Sequence, residues 1–296
     1  MKPSNHIFVV VAHQDDWQIF FGHTLYHYVR DPQKNIVIVV ITAGDAGDSG
    51  AHWKSRLSGA VISIARALPS WSPYALDERP SAELPSSFQI AYRHSMIEGK
   101  NILSCEIQGT LSATISLKFL HLPDGGVSGY GFSPNFASLL HLKTESQPLQ
   151  TLWPEHKPST YTTWEELQHT VGKIIDDELP TTDTNAPIYA ADPDPIVNPD
   201  DHIDHRLTSE LVAQLIKTRP NLIPHWHAMY CIASKAKNLA PEDERLQRTA
   251  IFAYGAGYSA TAAGFGEKWR TGWEREYLAF SGRYYPTNGT DESKSE

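Results

Sequence analysis

Two uninterrupted apolar runs, His6–Ala12 (HIFVVVA) and Asn35–Ala43 (NIVIVVITA), constrain this chain more than any other feature. Both are rich in β-branched residues and neither alternates polar with apolar. That is the pattern of strands buried on both faces, as in a parallel sheet covered by helices. Between them, Asp16–Arg30 places apolar residues near helical spacing and stops before Pro32. After the second run, Gly44-Asp45-Ala46-Gly47 leads into a helix predicted over His52–Leu68 and closed by Pro69. Strand, helix, strand, helix with short connections predicts an α/β fold with right-handed crossovers. The start looks Rossmann-like, but its first turn is Ala-His-Gln-Asp-Asp, not a glycine fingerprint, so there is no dinucleotide signal.

The rest of the chain extends this pattern. Strands are predicted over Phe88–Ser95, Asn101–Ile107 and Ala113–Leu122, the first two forming a hairpin around Gly99. A short helix is expected over Phe136–Leu142. Thr162-Thr163-Trp164-Glu165 reads as a capping box for a helix reaching about Leu179 and stopped by Pro180. A strand follows over Ala186–Ala191, a helix over His202–Lys217, a strand over Met229–Ser234, and helices over Pro241–Tyr254 and Glu267–Phe280. No internal repeat or linker interrupts the chain. We expect one domain over 1–296, with loop insertions at about 69–87 and 129–159 and a polar tail over 286–296.

Composition bounds the function. With 25 Lys and Arg against 34 Asp and Glu, the formal net charge is −9, so no basic surface for nucleic acid is expected. Only two cysteines occur, Cys105 and Cys231, which excludes a disulfide framework and a Cys-ligated zinc ribbon. No apolar run is long enough to span a bilayer and no targeting segment is visible, so the expectation is a cytoplasmic protein. The 14 histidines beside those carboxylates admit a His/carboxylate metal site.

Two constellations carry chemistry. His13-Gln14-Asp15-Asp16 sits where the first buried strand meets a helix, the sheet edge at which open α/β folds bind ligands. His13 and Asp16 can reach one ion, and Asp15 between them can accept a proton. The blander reading is that Asp15 or Asp16 caps the helix. Asp200-Asp201-His202-Ile203-Asp204-His205 opens another helix after another strand, with both histidines on one helix face. The blander reading there is a solvated acidic helix start. Together, one His and one Asp from the first and one His from the second make three ligands with an open position, the catalytic pattern for zinc.

With these residues in view, the chain resembles the LmbE-like/PIG-L family of zinc-dependent N-acetylglucosaminyl deacetylases. AHQDD is similar to that family's AHPDD and HIDH to its HPDH. TAGDAG, LPDGG over Leu122–Gly126 and YTTWEEL also resemble its landmarks. The resemblance covers most of residues 6–217. It implies a Rossmann-like three-layer sandwich with a mostly parallel central sheet, and hydrolysis of an N-acetyl group from an amino sugar. It further implies His13, Asp16 and His205 as ligands of Zn2+, with Fe2+ as the alternative ion. Asp15 would be the general base and His202 the general acid or oxyanion stabiliser, tuned by Asp204. The chain departs from the family at Gln14 and Ile203, where proline is usual, and at Asp200, where some members have a tyrosine that polarises the carbonyl. A second oxyanion donor must then come from elsewhere.

Substrate contacts are weaker signals. Asp45 and Asp124 could bond sugar hydroxyls or serve as turn residues beside glycine. Arg56 could bind substrate, with a solvated helix charge the preferred reading. Trp17 could form a wall of the sugar site. His225 and His227 fit strand alternation better than ligation. His23 and His27, spaced i,i+4, would make a zinc pair only with a third ligand nearby. The expected partner is a small amino-sugar substrate, and a homo-oligomer is admitted. Two competing functions remain open at this level: a zinc hydrolase or hydratase acting on another small amide or acidic metabolite, and a metal-binding regulatory protein without turnover.

Overall fold

The two apolar runs become neighbouring central strands because each presents two dry faces. In β1 (His6–Val11), Ile7, Val9 and Val11 enter one core while Phe8 and Val10 enter the other. A π-helical turn, Trp17–Phe21, runs directly into α1 (Gly22–Val29) and returns the chain to β2 (Asn35–Thr42). α2 (Ala51–Ala67) leads to a hairpin of β3 (Gln89–Ile97) and β4 (Lys100–Gln108), and then to β5 (Thr114–Leu122). After α3 (Leu139–Glu145) come the two-residue strands β6 (Leu149–Gln150) and β7 (Thr160–Tyr161). α4 (Trp164–Glu178), β8 (Ala186–Ala191), α5 (Ile203–Ile216) and β9 (Leu222–His227) follow. α6 (Pro241–Ala260) and α7 (Glu274–Leu278) close the order. This computed structural model describes residues 4–48, 50–67, 89–108, 113–145, 147–152, 158–181, 184–261 and 268–287.

The sheet has seven strands in the order β3-β4-β5-β2-β1-β8-β9. β5, β2, β1, β8 and β9 are parallel, and only the β3-β4-β5 edge is antiparallel. One core packs α1, α2 and the start of α6 on one face, and the other packs α4 and α5 on the opposite face. This is a mostly parallel α/β three-layer sandwich, as the sequence implies. The strand order reverses at β1 and β8, where the crossover helices leave for opposite faces. A crevice opens there at the carboxyl ends of the strands.

Several predicted boundaries move. Residues 230–234 form a 3-10 turn rather than a strand, and the strand lies earlier, at β9. Pro224 sits inside β9 because β9 is the sheet edge, where a missing N–H costs no ladder bond. α6 runs past Tyr254 to Ala260, through glycines that read as a stop. A Cβ at Gly255 would lie 2.1 Å from Trp269, and one at Gly257 2.7 Å from the Ser58 carbonyl, so these glycines permit close packing. The capping box sits one residue later than predicted. Thr163 caps Glu166 N–H at 3.2 Å, and Glu166 reaches back to Thr162 N–H at 2.7 Å. The short helix expected over 136–142 is α3, three residues later. The insertion expected over 69–87 and most of the 286–296 tail lie outside the described residues. No helix among the described residues is long and apolar enough to cross a membrane.

Two histidines of this scaffold give a pH prediction. Burial holds His121 down to about 3; burial and the nearby His225 do the same for His227. Both therefore stay neutral in the fold, while the unfolded chain takes up their protons near the ordinary 6.5. Their contribution is complete above about pH 6.5 and is lost progressively as pH falls toward 3. Denaturant unfolding from pH 7.5 to 4.5 should show a shallower decline for His121→Leu than for wild type. Parallel declines would refute the assignment.

Candidate active site

The first motif is held by the ends of two parallel strands. Ala12 O, just beyond β1, accepts from both Thr42 N–H (2.8 Å) and the Thr42 hydroxyl (2.9 Å). Asp16 Oδ2 accepts from His13 N–H at 2.8 Å, which closes the turn and leaves Oδ1 free to face inward. The second motif begins α5. His202 is its N-cap, with Nδ1 accepting from Asp204 N–H at 3.2 Å. One turn on, His205 points into the crevice and is fully buried.

Three donor atoms converge there. His13 Nδ1 and His205 Nε2 are 3.2 Å apart, and Asp16 Oδ1 lies 3.0 Å from His205 Nε2 and 3.7 Å from His13 Nδ1. Tetrahedral zinc with bonds of about 2.0–2.1 Å separates its donors by about 3.3–3.4 Å. The spacing, the burial and the two-imidazole, one-carboxylate donor set all fit a divalent ion. Each imidazole also has a carboxylate behind it. Asp201 Oδ1 lies 2.9 Å from His205 Nδ1, a bond that fixes the tautomer of a ligating histidine, and Asp204 Oδ2 stands farther off, 3.6 Å from His13 Nε2. A second set, His13 with Asp124, His202 and Asp204, also gathers around His13 Nε2. Its separations of 3.6–4.0 Å are looser, so the Asp16 set is the better fit.

The electrostatics follow from this crowding. Burial disfavours a charged His13, but Asp16, Asp204 and Asp124 outweigh it and raise the group to about 10. Burial likewise opposes charge on His205, and Asp16 and Asp201 reverse it, holding its pKa well above the ordinary value. Burial would raise Asp16, yet the two imidazoles hold it well below the carboxylate range. His202 is pushed down to about 2 by burial and by its neighbours His13 and His205. The cluster therefore draws positive charge to His13 and His205, the position a cation would share.

Asp15 faces a pocket of about 480 Å³ beside these donors. Arg56 Nη2 donates to Asp15 Oδ1, and the Tyr277 hydroxyl donates to Oδ2. Arg56 Nε also donates to Gln14 Oε1 at 3.2 Å, while Gln14 Nε2 donates to Ala43 O at 2.7 Å. Arg56 is thus buried in the site, not a solvated helix charge. Trp17 is 1% exposed in the core and forms no pocket wall. The aromatic walls are Tyr230, Trp273, Tyr277 and Phe280.

The predicted substrate aspartates separate. Asp124 lines the pocket, and its Oδ1 accepts from Gly126 N–H at 2.7 Å and lies 3.7 Å from His202 Nε2. Asp45 uses both oxygens internally, accepting from Asp124 N–H (2.8 Å) and Gly47 N–H (3.1 Å). Burial and the charge of Asp124 push Asp45 up to about 6. It is a strut beneath Asp124. Asp204 is displaced from its expected partner, because its carboxylate is closer to His13 than to His202 (3.6 against 4.0 Å). Gly125 N–H donates to Asp204 Oδ2 at 2.9 Å, and a Cβ there would come within 2.8 Å of Oδ1. This explains the glycine in the LPDGG turn.

Residues 8–216 match the family described as PIG-L, GlcNAc-PI de-N-acetylase. The chain belongs to the PIG-L family. Membership points to hydrolysis of the de-N-acetylase type, and both motifs fall inside the matched span. The conserved protein TT1542 from Thermus thermophilus is similar in structure at a TM-score of 0.41. It has 15% identity, over 95% of this chain and 91% of that one. No curated protein matches. The pocket wall built by Tyr230 and residues 273–280 lies outside the PIG-L span, and no local signal in the sequence marks it. Asp201 could have been found, since it stands four residues before His205, just ahead of the helix cap and within reach of its ring.

Proposed function

We propose that the protein is a zinc-dependent hydrolase that removes the N-acetyl group from an N-acetylglucosamine-type sugar or conjugate. The observation that carries this reading is Asp15, oriented by Arg56 and Tyr277 beside three converging donors at the floor of an aromatic-walled pocket. His13, Asp16 and His205 would hold the ion, which when bound supplies Lewis acidity that activates water and polarises the amide carbonyl. Asp15 accepts the proton of the attacking water. His202 accepts Asp204 N–H at Nδ1, so a neutral ring carries its proton at Nε2 and donates a hydrogen bond to the developing oxyanion, while the proton that Asp15 takes from water passes to the leaving amine. Asp124 lies 3.7 Å from that nitrogen and adds negative charge beside it. Asp201 and Asp204 position the two ligating histidines from behind.

The pocket favours a neutral sugar over an acidic metabolite. Among the described lining residues the one guanidinium, Arg56, is bonded to Asp15, while Asp124 and Glu276 add negative charge to the lining. Aromatic faces with carboxylate acceptors suit a pyranose ring and its hydroxyls. The test is amine release from a panel of N-acetylated sugars and conjugates by zinc-reconstituted protein. At least one sugar should yield amine above the metal-free control. Silence across the panel would overturn the reading.

A further inference from the structure

The geometry points to a second divalent-metal site, of the zinc class, on the seam between α1 and α6 and away from the catalytic pocket. Its ligands are His23 Nδ1, His27 Nε2 and Asp243 Oδ1. The two histidines are i,i+4 on one face of α1, and Asp243 comes from the first turn of α6. Asp243 Oδ1 lies 3.5 Å from His23 Nδ1 and 3.3 Å from His27 Nε2, and the three residues bring one ligand atom each within 4.8 Å of one another. Donors bound tetrahedrally at about 2.0–2.1 Å stand about 3.3–3.4 Å apart, so two of the three edges already match.

The chemistry selects the ion class. Two imidazoles and one carboxylate suit zinc and the later divalent transition metals, and do not suit the all-oxygen shells of calcium or magnesium. Exposure differs along the triad: the His23 side chain is 9% exposed, Asp243 25% and His27 58%. The inner ligand is fixed by packing, with the Tyr284 ring 5.1 Å from the His23 ring. The outer ligand faces solvent, leaving a fourth position for water. An ion there would tie α1, which follows directly from the Asp16 turn, to α6. The same seam carries the bond from Gln247 Nε2 to Ile19 O (2.7 Å), and Gln247 Oε1 accepts from Gly282 N–H (2.8 Å) just beyond the pocket-wall residues. The site would therefore brace the aromatic wall from behind.

Metal-stripped protein titrated with Zn2+ alone, with bound metal counted after equilibrium dialysis, tests this. Wild type should bind about two ions per chain. Asp243→Asn and His27→Gln should each bind about one, as should His205→Ala, and Asp243→Asn combined with His205→Ala should bind none. The second ion should raise Tm in wild type and not in Asp243→Asn. Should wild type bind a single ion, its loss in Asp243→Asn but not in His205→Ala would keep this site and remove the catalytic one. Wild-type stoichiometry retained in both Asp243→Asn and His27→Gln would overturn the proposal.

Discussion

His205→Ala should lose its catalytic-site metal and, with it, measurable turnover. The residue is fully buried and its two nitrogens do separate work. Nε2 lies 3.0 Å from Asp16 and 3.2 Å from His13, and Nδ1 lies 2.9 Å from Asp201. Alanine removes one donor of three and leaves Asp16 and Asp201 facing a space with no cation. Replacing an outer carboxylate of this kind typically costs about 10–100-fold in metal affinity, so Asp201→Asn should fall in that range and His205→Ala beyond it. His202→Ala is the contrast. It should keep the ion and lose about 10²–10³-fold in kcat, the range for removing one donor to the oxyanion. Metal content by atomic emission, read beside kcat, separates the two. Equal metal loss in both variants would mean that the ligand set is wrongly drawn.

Asp15→Asn should keep both metal and fold, yet lose about 10²–10⁴-fold in turnover. The amide is nearly the size of the carboxylate and its oxygen can still accept from Arg56. It cannot accept the proton of water. Because Arg56 and Tyr277 together engage both oxygens, Tyr277→Phe should lower the rate less than Asp15→Asn does, by disordering the base without removing it. Turnover within tenfold of wild type in Asp15→Asn would remove Asp15 from the proposed chemistry. Unchanged function in that variant would favour the regulatory reading, in which Asp15 has no part.

Much of the fold was legible because its determinants are local. β1 and β2 announce themselves as continuous β-branched runs, and the hairpin between β3 and β4 turns at Gly99 with a positive φ of 72°. The errors fall where packing overrides local preference. α6 continues through Gly255 and Gly257 because those positions lie against Trp269 and α2. Pro224 sits in a strand because that strand is an edge. The same division holds in the site. His13, Asp15, Asp16, His202 and His205 stand out by spacing within short motifs that end strands and open helices. The burial of Arg56, the pairing of Asp204 with His13 and the aromatic wall from residues 230–280 leave no such trace.

By itself the sequence determined which chemical groups stand at the carboxyl ends of β1 and β8. Strand periodicity and turn position are properties of a few consecutive residues, and parallel strands bring such ends to one edge. Only the tertiary structure decided which atoms face each other across that edge. Asp15 meets Arg56 across 41 residues and Tyr277 across 262. His23 and His27 gain Asp243 from a helix more than two hundred residues away. Contacts at that separation are set by how helices pack on the two faces of the sheet. Packing depends on every side chain in the interface, so no single stretch of sequence encodes it.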